Sequence, residues 1–161
     1  MPAMLSSPPD HPGELIERIR AAAADRTPLR LQGGGTKAFL AEPAPGTLLS
    51  TTGYAGIISH EPSELVVTVK AGTPLAELES VLAAAGQSLA FEPPHFGPGA
   101  TVGGAVAAGL AGPARAAVGG ARDYVLGVRL INGRGELLTF GGQVMKNVAG
   151  YDVSRALAGS R

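Results

Sequence analysis

The chain is 161 residues long, with 45% apolar residues, 24 glycines, no cysteine and a formal net charge of zero from 13 basic and 13 acidic side chains. That length suits one domain or two small parts sharing a ligand, and the apolar content is that of a folded globular protein. Without a run of Lys or Arg there is no electrostatic footprint for nucleic acid or an acidic membrane. Without cysteine there is no disulfide, cysteine-held metal, iron–sulfur cluster or thiol nucleophile in this chain.

Residues 1–12 read as a flexible start: "MPAMLSSPPDHP" has neither the basic region nor the apolar core of a secretory signal, so the expected location is the cytoplasm. Glu14 to Ala24 carries Leu15, Ile16, Ile19, Ala22 and Ala23 at helical spacing. "PLRLQ" alternates as a short strand and runs straight into Gly33, Gly34, Gly35, Thr36 and Lys37. "ELVVTVKAG" reads as another strand, after which Thr73 offers an N-cap and Pro74 a first helical position. Leu75, Leu78, Val81, Leu82 and Ala85 then share one face, and Gly86 stops that helix. "SLAF" at 88–91 is expected to return as a strand, making the first half an α/β layer.

The second half differs. The stretch Gly97 to Asp123 is rich in glycine and alanine, and its longest apolar run, Gly99 to Gly112, is too short to span a bilayer. "DYVLGVRLI" and "ELLTF" then flank Asn132, Gly133, Arg134 and Gly135, a strong hairpin signal. The expected class is therefore α+β, with a first subdomain at 13–95, a mainly antiparallel second one at 96–161, and the glycine-rich segment at their seam. Such seams commonly hold ligands.

Three glycines after a strand let successive N–H groups point into one concavity, with the Thr36 hydroxyl and the Lys37 charge beside them. That suits a phosphate or pyrophosphate; the plainer reading is a turn. The spacing is not that of a P-loop. Pro98, Gly99, Ala100, Thr101, Val102, Gly103 and Gly104 precede Ala105 to Ala108, which could begin a short helix whose first amides face an anion. Val102 stands where a Rossmann fingerprint needs its third glycine, and a hairpin follows instead of a βαβ unit, so nicotinamide binding is disfavoured. Two glycine-rich anion sites with small residues between them suit an extended dinucleotide such as FAD. The alanines alone also fit a tightly packed helix.

Taken in order, "GGGTK", "ELVVTVKAGTPLAELESVLAAAGQSLAFEPP", "GATVGGAVAAGLAG", "GGARDYVLGVRLINGRGE" and "FGGQVMKNVAGYDVSRALAGS" resemble the PCMH-type FAD-binding family of vanillyl-alcohol-oxidase type flavoproteins, and within it the FAD-binding subunits of glycolate oxidases. The resemblance covers nearly all of residues 28 to 160. It implies a two-subdomain PCMH-type fold, with Gly33, Gly34, Gly35, Thr36 and Lys37 as the pyrophosphate loop and Pro98, Gly99, Thr101, Val102, Gly103 and Gly104 as a second flavin-contacting segment. Family members with covalent FAD commonly use a histidine in the first loop or a cysteine in the second; neither is here, so the expected FAD is noncovalent. Asp123 would order the glycine loop and Arg122 orient it, or the two form a surface pair. Lys146 and Tyr151 in "KNVAGYD" would lie close to the flavin, although Gly150 and Asp152 also read as a helix start. His95 either approaches the cofactor or is a turn histidine, and no metal site is expected.

The implied activity is oxidation of a 2-hydroxy acid, glycolate to glyoxylate, by hydride transfer to FAD. The implied partners are a second flavin subunit and an iron–sulfur subunit, any membrane association running through them. No residue stands out as the catalytic base. Family chains continue beyond "AGS" into a further flavin contact and a cap domain, so a fragment, inactive alone and poorly soluble, is expected. The competing expectation is a docking module that binds partner subunits without flavin.

Overall fold

In a computed structural model that describes residues 12–40, 42, 44–142 and 152–160, the helical spacing near the start becomes α1 (Gly13–Ala24), which buries Ile16. The Arg18 side chain donates to the Leu48 carbonyl at 3.0 Å and fixes this helix to the strand at Thr47–Ser50. β1 (Leu29–Gln32) and β2 (Thr47–Ser50) pair in parallel, with Leu31 opposite the buried Leu49. Between them lie the Gly33–Lys37 loop and a 3-10 turn at Ala38–Leu40.

β3 (Ile57–Glu61) and β4 (Val66–Val69) form an antiparallel hairpin whose turn ends on Leu65 at φ 56°. α2 (Leu75–Ala84) follows and buries Leu75, Leu78 and Leu82, three of the side chains that the apolar spacing assigns to its inner face. Burial of leucines of this kind stabilises by about 1.5–3 kcal/mol each. Gly86, at φ +69°, ends the helix in the left-handed conformation that glycine adopts without steric cost.

Two expectations for this half are corrected. Thr73 is not a side-chain cap for α2: its hydroxyl donates to the Lys70 carbonyl at 2.6 Å and accepts the Gly56 N–H at 2.9 Å. Residues 88–91 are not a strand. The chain turns there through Glu92 N–H to the Leu89 carbonyl and Glu92 at φ 48°, while Phe91 is buried and Leu89 packs on the core. The apolar run is thus buried by side-chain packing instead of ladder pairing, and β4 pairs back onto β3, so the expected β-α-β unit through α2 is not formed among the described residues.

α3 (Val102–Ala108) begins at Thr101, whose hydroxyl accepts the Gly104 N–H at 3.2 Å, and closes on Gly109 at φ 63°. Two short helices follow, α4 (Arg115–Val118) and α5 (Ala121–Tyr124). The asparagine-glycine signal is realised as the antiparallel pair β5 (Gly127–Ile131) and β6 (Leu137–Gly141), with Ile131 opposite Leu137. Asn132 Oδ1 accepts the Arg134 and Glu136 N–H groups at 2.9 and 3.0 Å and sets the turn. α6 (Val153–Ala156) starts on Asp152, whose carboxylate accepts the Arg155 N–H, and Gly159 N–H bonds to the Val106 carbonyl. The class is α+β, and the central core joins Leu75 to Ala100 and Ala105, with Leu89 and Val102 packed against it.

Candidate cofactor site

Loop 33–37 leaves β1 at its carboxyl end. Among the described residues, the successive N–H groups of Gly33, Gly34, Gly35, Thr36 and Lys37 donate to no protein acceptor. A row of unpaired donors costs free energy when it is shielded from water, and an anion relieves that cost. Gly35 sits at φ +71°, which aims the row in a way that a side-chain-bearing residue resists.

The second predicted segment is brought directly against this loop. A Cβ on Gly34 would fall on the Gly99 carbonyl, and one on Gly33 would fall on Thr101 Oγ1. A Cβ on Gly97 would meet Thr36 Cγ2 at 3.3 Å. The missing side chains therefore let two main chains touch, and residues 33–37 and 97–104 form one surface.

The two halves of that surface are not alike. The first-turn amides of α3 do not face an anion as the sequence suggested. Val102 N–H bonds to the Thr73 carbonyl at 2.9 Å, Gly103 N–H to the Ala71 carbonyl at 2.8 Å, and Gly104 N–H to Thr101. Among the described residues, the N–H groups of Gly99 and Thr101 are the ones in segment 98–104 without an acceptor. Val102 turns its side chain onto the core, whereas Pro98 and Gly99 are exposed.

Lys37 supplies the cationic side chain of the first loop. Its Nζ donates to the His95 carbonyl at 3.4 Å and lies 5.9 Å from the centre of the Phe96 ring, which in turn meets Phe39 edge-on at 5.0 Å. Burial pushes the Lys37 amine below its ordinary value. The His95 ring turns to α2 and meets the Glu79 carboxylate at 2.9 Å, so its side chain is held on the helix surface.

Asp123 accepts the Gly120 N–H at 2.8 Å, and a Cβ on Gly119 would lie 2.7 Å from Asp123 Oδ2. It thus orders the glycines just before α5, while Arg122 is exposed. Lys146 and Tyr151 lie outside the described residues. The remaining glycines of the stretch serve the protein's own packing: a Cβ on Gly103 would meet Ala71 at 2.8 Å, on Gly109 would meet Gly159 at 2.8 Å, and on Gly112 would meet Glu92 at 2.6 Å. Close chain-to-chain approach, more than ligand approach, explains that part of the composition.

Sequence reading missed the turn behind the site. Gly72 N–H bonds to the Tyr54 carbonyl at 2.8 Å, and a Cβ on Gly72 would fall on the Thr51 carbonyl. The buried Lys70 places Nζ 5.3 Å from the centre of the Tyr54 ring. The available signal was "KAGT", small residues between a strand and a helix.

The fit to FAD is a matter of donor chemistry. A pyrophosphate is held by N–H donors and a nearby cation, and loop 33–37 offers unpaired donors and Lys37, with no carboxylate in 33–37 or 97–104 to oppose the charge. Among the described residues no group of three His, Cys, Asp or Glu is placed to hold a metal ion, and no helix is long and apolar enough to cross a membrane.

Among the described residues, an α+β chain whose glycine loop presents unpaired amides against a second glycine segment is built to take a ligand that carries a phosphate or pyrophosphate. The chain belongs to the FAD binding domain family, whose sequence model matches residues 8–154, and its cofactor is FAD. It is 52% identical over 151 residues to glycolate oxidase subunit GlcE of Escherichia coli K12, covering 94% of this chain and 43% of that protein. It is 30% identical to a D-lactate dehydrogenase of Archaeoglobus fulgidus and 27% to glycolate oxidase subunit GlcD of Bacillus subtilis, covering 94% of this chain and 34% and 33% of theirs. The chain thus spans less than half the length of these relatives. In fold it is similar to alkyldihydroxyacetonephosphate synthase, with a TM-score of 0.70 at 22% identity over 94% of this chain and 28% of that one.

Proposed function

We propose that the chain is the flavin-holding portion of a glycolate oxidase FAD-binding subunit, with FAD held noncovalently. The observation that carries this is the 52% identity to subunit GlcE over nearly the whole chain, which includes the loop with unpaired amides. In this reading the N–H groups of Gly33 to Lys37 bind the pyrophosphate, and the Lys37 ammonium adds Coulombic attraction in a partly desolvated setting. The free amides of Gly99 and Thr101 extend the contact, and Gly103 and Gly104 keep the segment close. Asp123 orders the loop before α5, and Lys146 and Tyr151 remain candidates for the flavin ring. Residues 13–95 and 96–161 are the two parts of the domain.

Bound FAD supplies two-electron oxidation: a 2-hydroxy acid loses hydride from C2 and a proton from its hydroxyl, giving the 2-oxo acid, as from glycolate to glyoxylate. The protein's task is to bind and orient. Electrons then pass to partner subunits. Similarity to both GlcE and GlcD supports a second flavin subunit as one of them. These 161 residues include no cysteine and so supply no thiolate ligand to an iron–sulfur cluster.

The test is to add FAD to the purified chain, remove the excess and record the visible spectrum beside circular dichroism. Retained flavin absorbance is expected. A folded but colourless protein would overturn the flavin reading and favour the partner-docking module.

A further inference from the structure

The turn that joins β4 to α2 makes more main-chain bonds to other segments than its length requires. Lys70 N–H bonds to the Gly56 carbonyl at 3.0 Å, and Gly72 N–H to the Tyr54 carbonyl at 2.8 Å. In the other direction the Ala71 and Thr73 carbonyls accept the Gly103 and Val102 N–H groups, and Leu75 N–H bonds to the Ala100 carbonyl at 2.8 Å. The turn is a bracket: one side holds residues 54–56 and the other holds residues 100–103.

The side chain at its centre is Thr73, which has no exposed surface. Its hydroxyl accepts the Gly56 N–H at 2.9 Å, donates to the Lys70 carbonyl at 2.6 Å and lies 3.1 Å from the Gly56 carbonyl. One oxygen atom thus closes the turn on itself and ties it to the segment behind. Losing the hydroxyl would leave the part-buried Gly56 N–H without this acceptor and open the bond to the Lys70 carbonyl, a cost that an apolar group of the same shape does not offset. The segment that the bracket holds is the one whose Gly99 and Thr101 abut Gly34 and Gly33.

We infer that Thr73 is a positioning residue for the cofactor site: it touches no ligand, and through the bracket at 70–74 it sets how closely residues 99–104 lie against the loop at 33–37. This rests on the flavin reading above. A conserved shape with a lost hydroxyl should therefore loosen FAD, and a smaller side chain that keeps the hydroxyl should not.

The experiment titrates FAD into the 161-residue chain and into Thr73→Val, Thr73→Ser and Leu82→Ala, following flavin fluorescence at a temperature at which circular dichroism shows each to be folded. Leu82→Ala is the stability control, because Leu82 is buried in α2 away from the bracket. Thr73→Val is expected to weaken FAD binding about tenfold, whereas Thr73→Ser and Leu82→Ala stay within about twofold of the parent. Unchanged binding in Thr73→Val, or an equal loss in Leu82→Ala, would overturn the inference. A parent that binds no FAD would overturn the flavin reading and the inference with it, a result distinct from a parent that binds and a variant that binds as well. If Thr73→Val does not fold, amide exchange in the parent decides: FAD is expected to slow exchange at Gly72, Val102 and Gly103, and no slowing would sink the bracket.

Discussion

Loop 33–37 and segment 98–104 look alike as sequence, each dense in glycine and each carrying a threonine, yet they use their amides in opposite ways. Among the described residues, the first leaves a row of N–H groups without protein acceptors; the second commits Val102 to Thr73, Gly103 to Ala71 and Gly104 to Thr101. In the proposed reading the first receives the ligand and the second holds the first in place. Glycine content alone does not separate these roles. What separates them is where the carbonyls of a third segment, the turn at 70–74, happen to fall.

The comparison breaks most completely at the point where the two segments touch. Gly34→Val would drive a side chain onto the Gly99 carbonyl, a main-chain atom that cannot swing away. The expected outcome is destabilisation of about 3 kcal/mol, in the upper range for overpacking, together with loss of FAD binding, read by thermal melting and by the flavin spectrum. Unchanged FAD binding would show that loop 33–37 is not where the cofactor sits.

A smaller effect tests the holding segment. Thr101→Val removes the hydroxyl that caps Gly104 N–H, a loss of about 1 kcal/mol that lowers the melting temperature by roughly 2–4 °C. FAD binding should weaken only a few-fold in the same titration, because the row of free amides is untouched. A complete loss of binding would make the Thr101 hydroxyl a ligand contact in its own right, beyond its capping role.

Lys37 gives the smallest and most conditional effect. Burial lowers its pKa, so in the alkaline range below 10.5 the unfolded chain holds more protons than the folded one, and stability rises with pH through that window. A bound pyrophosphate favours the ammonium, so FAD affinity should fall as pH rises through the Lys37 pKa. Lys37→Gln should bind about threefold more weakly at neutral pH and show a flat alkaline profile, measured by FAD titration at several pH values. A profile unchanged by the substitution would remove Lys37 from the site.

The elements that sequence made legible are those with local causes. Asn132, through its side-chain oxygen, and Gly135, at φ 69°, dictate the β5–β6 turn, and the leucine spacing of α2 is a property of ten neighbouring residues. The glycine loop after β1 was legible for the same reason. What stayed hidden was decided by distant partners. "SLAF" has strand-like composition, but Phe91 and Leu89 find burial without a ladder. Thr73 reads as a cap, yet Pro74 takes that position and Gly56, seventeen residues before Thr73, claims its hydroxyl. The direction of an amide likewise depends on which carbonyl arrives opposite it, and residue identity says little about that.

The bracket at 70–74 also bears on how far this fold can drift. Most of its bonds run between carbonyls and amides, which every residue except proline possesses in full, so most side chains around it are free to change. The restrictions fall on a few places: a hydroxyl at Thr73, and the absence of a Cβ at Gly34, Gly72 and Gly103. A junction written in the main chain can pass nearly intact through heavy substitution, which is consistent with a TM-score of 0.70 surviving at 22% identity.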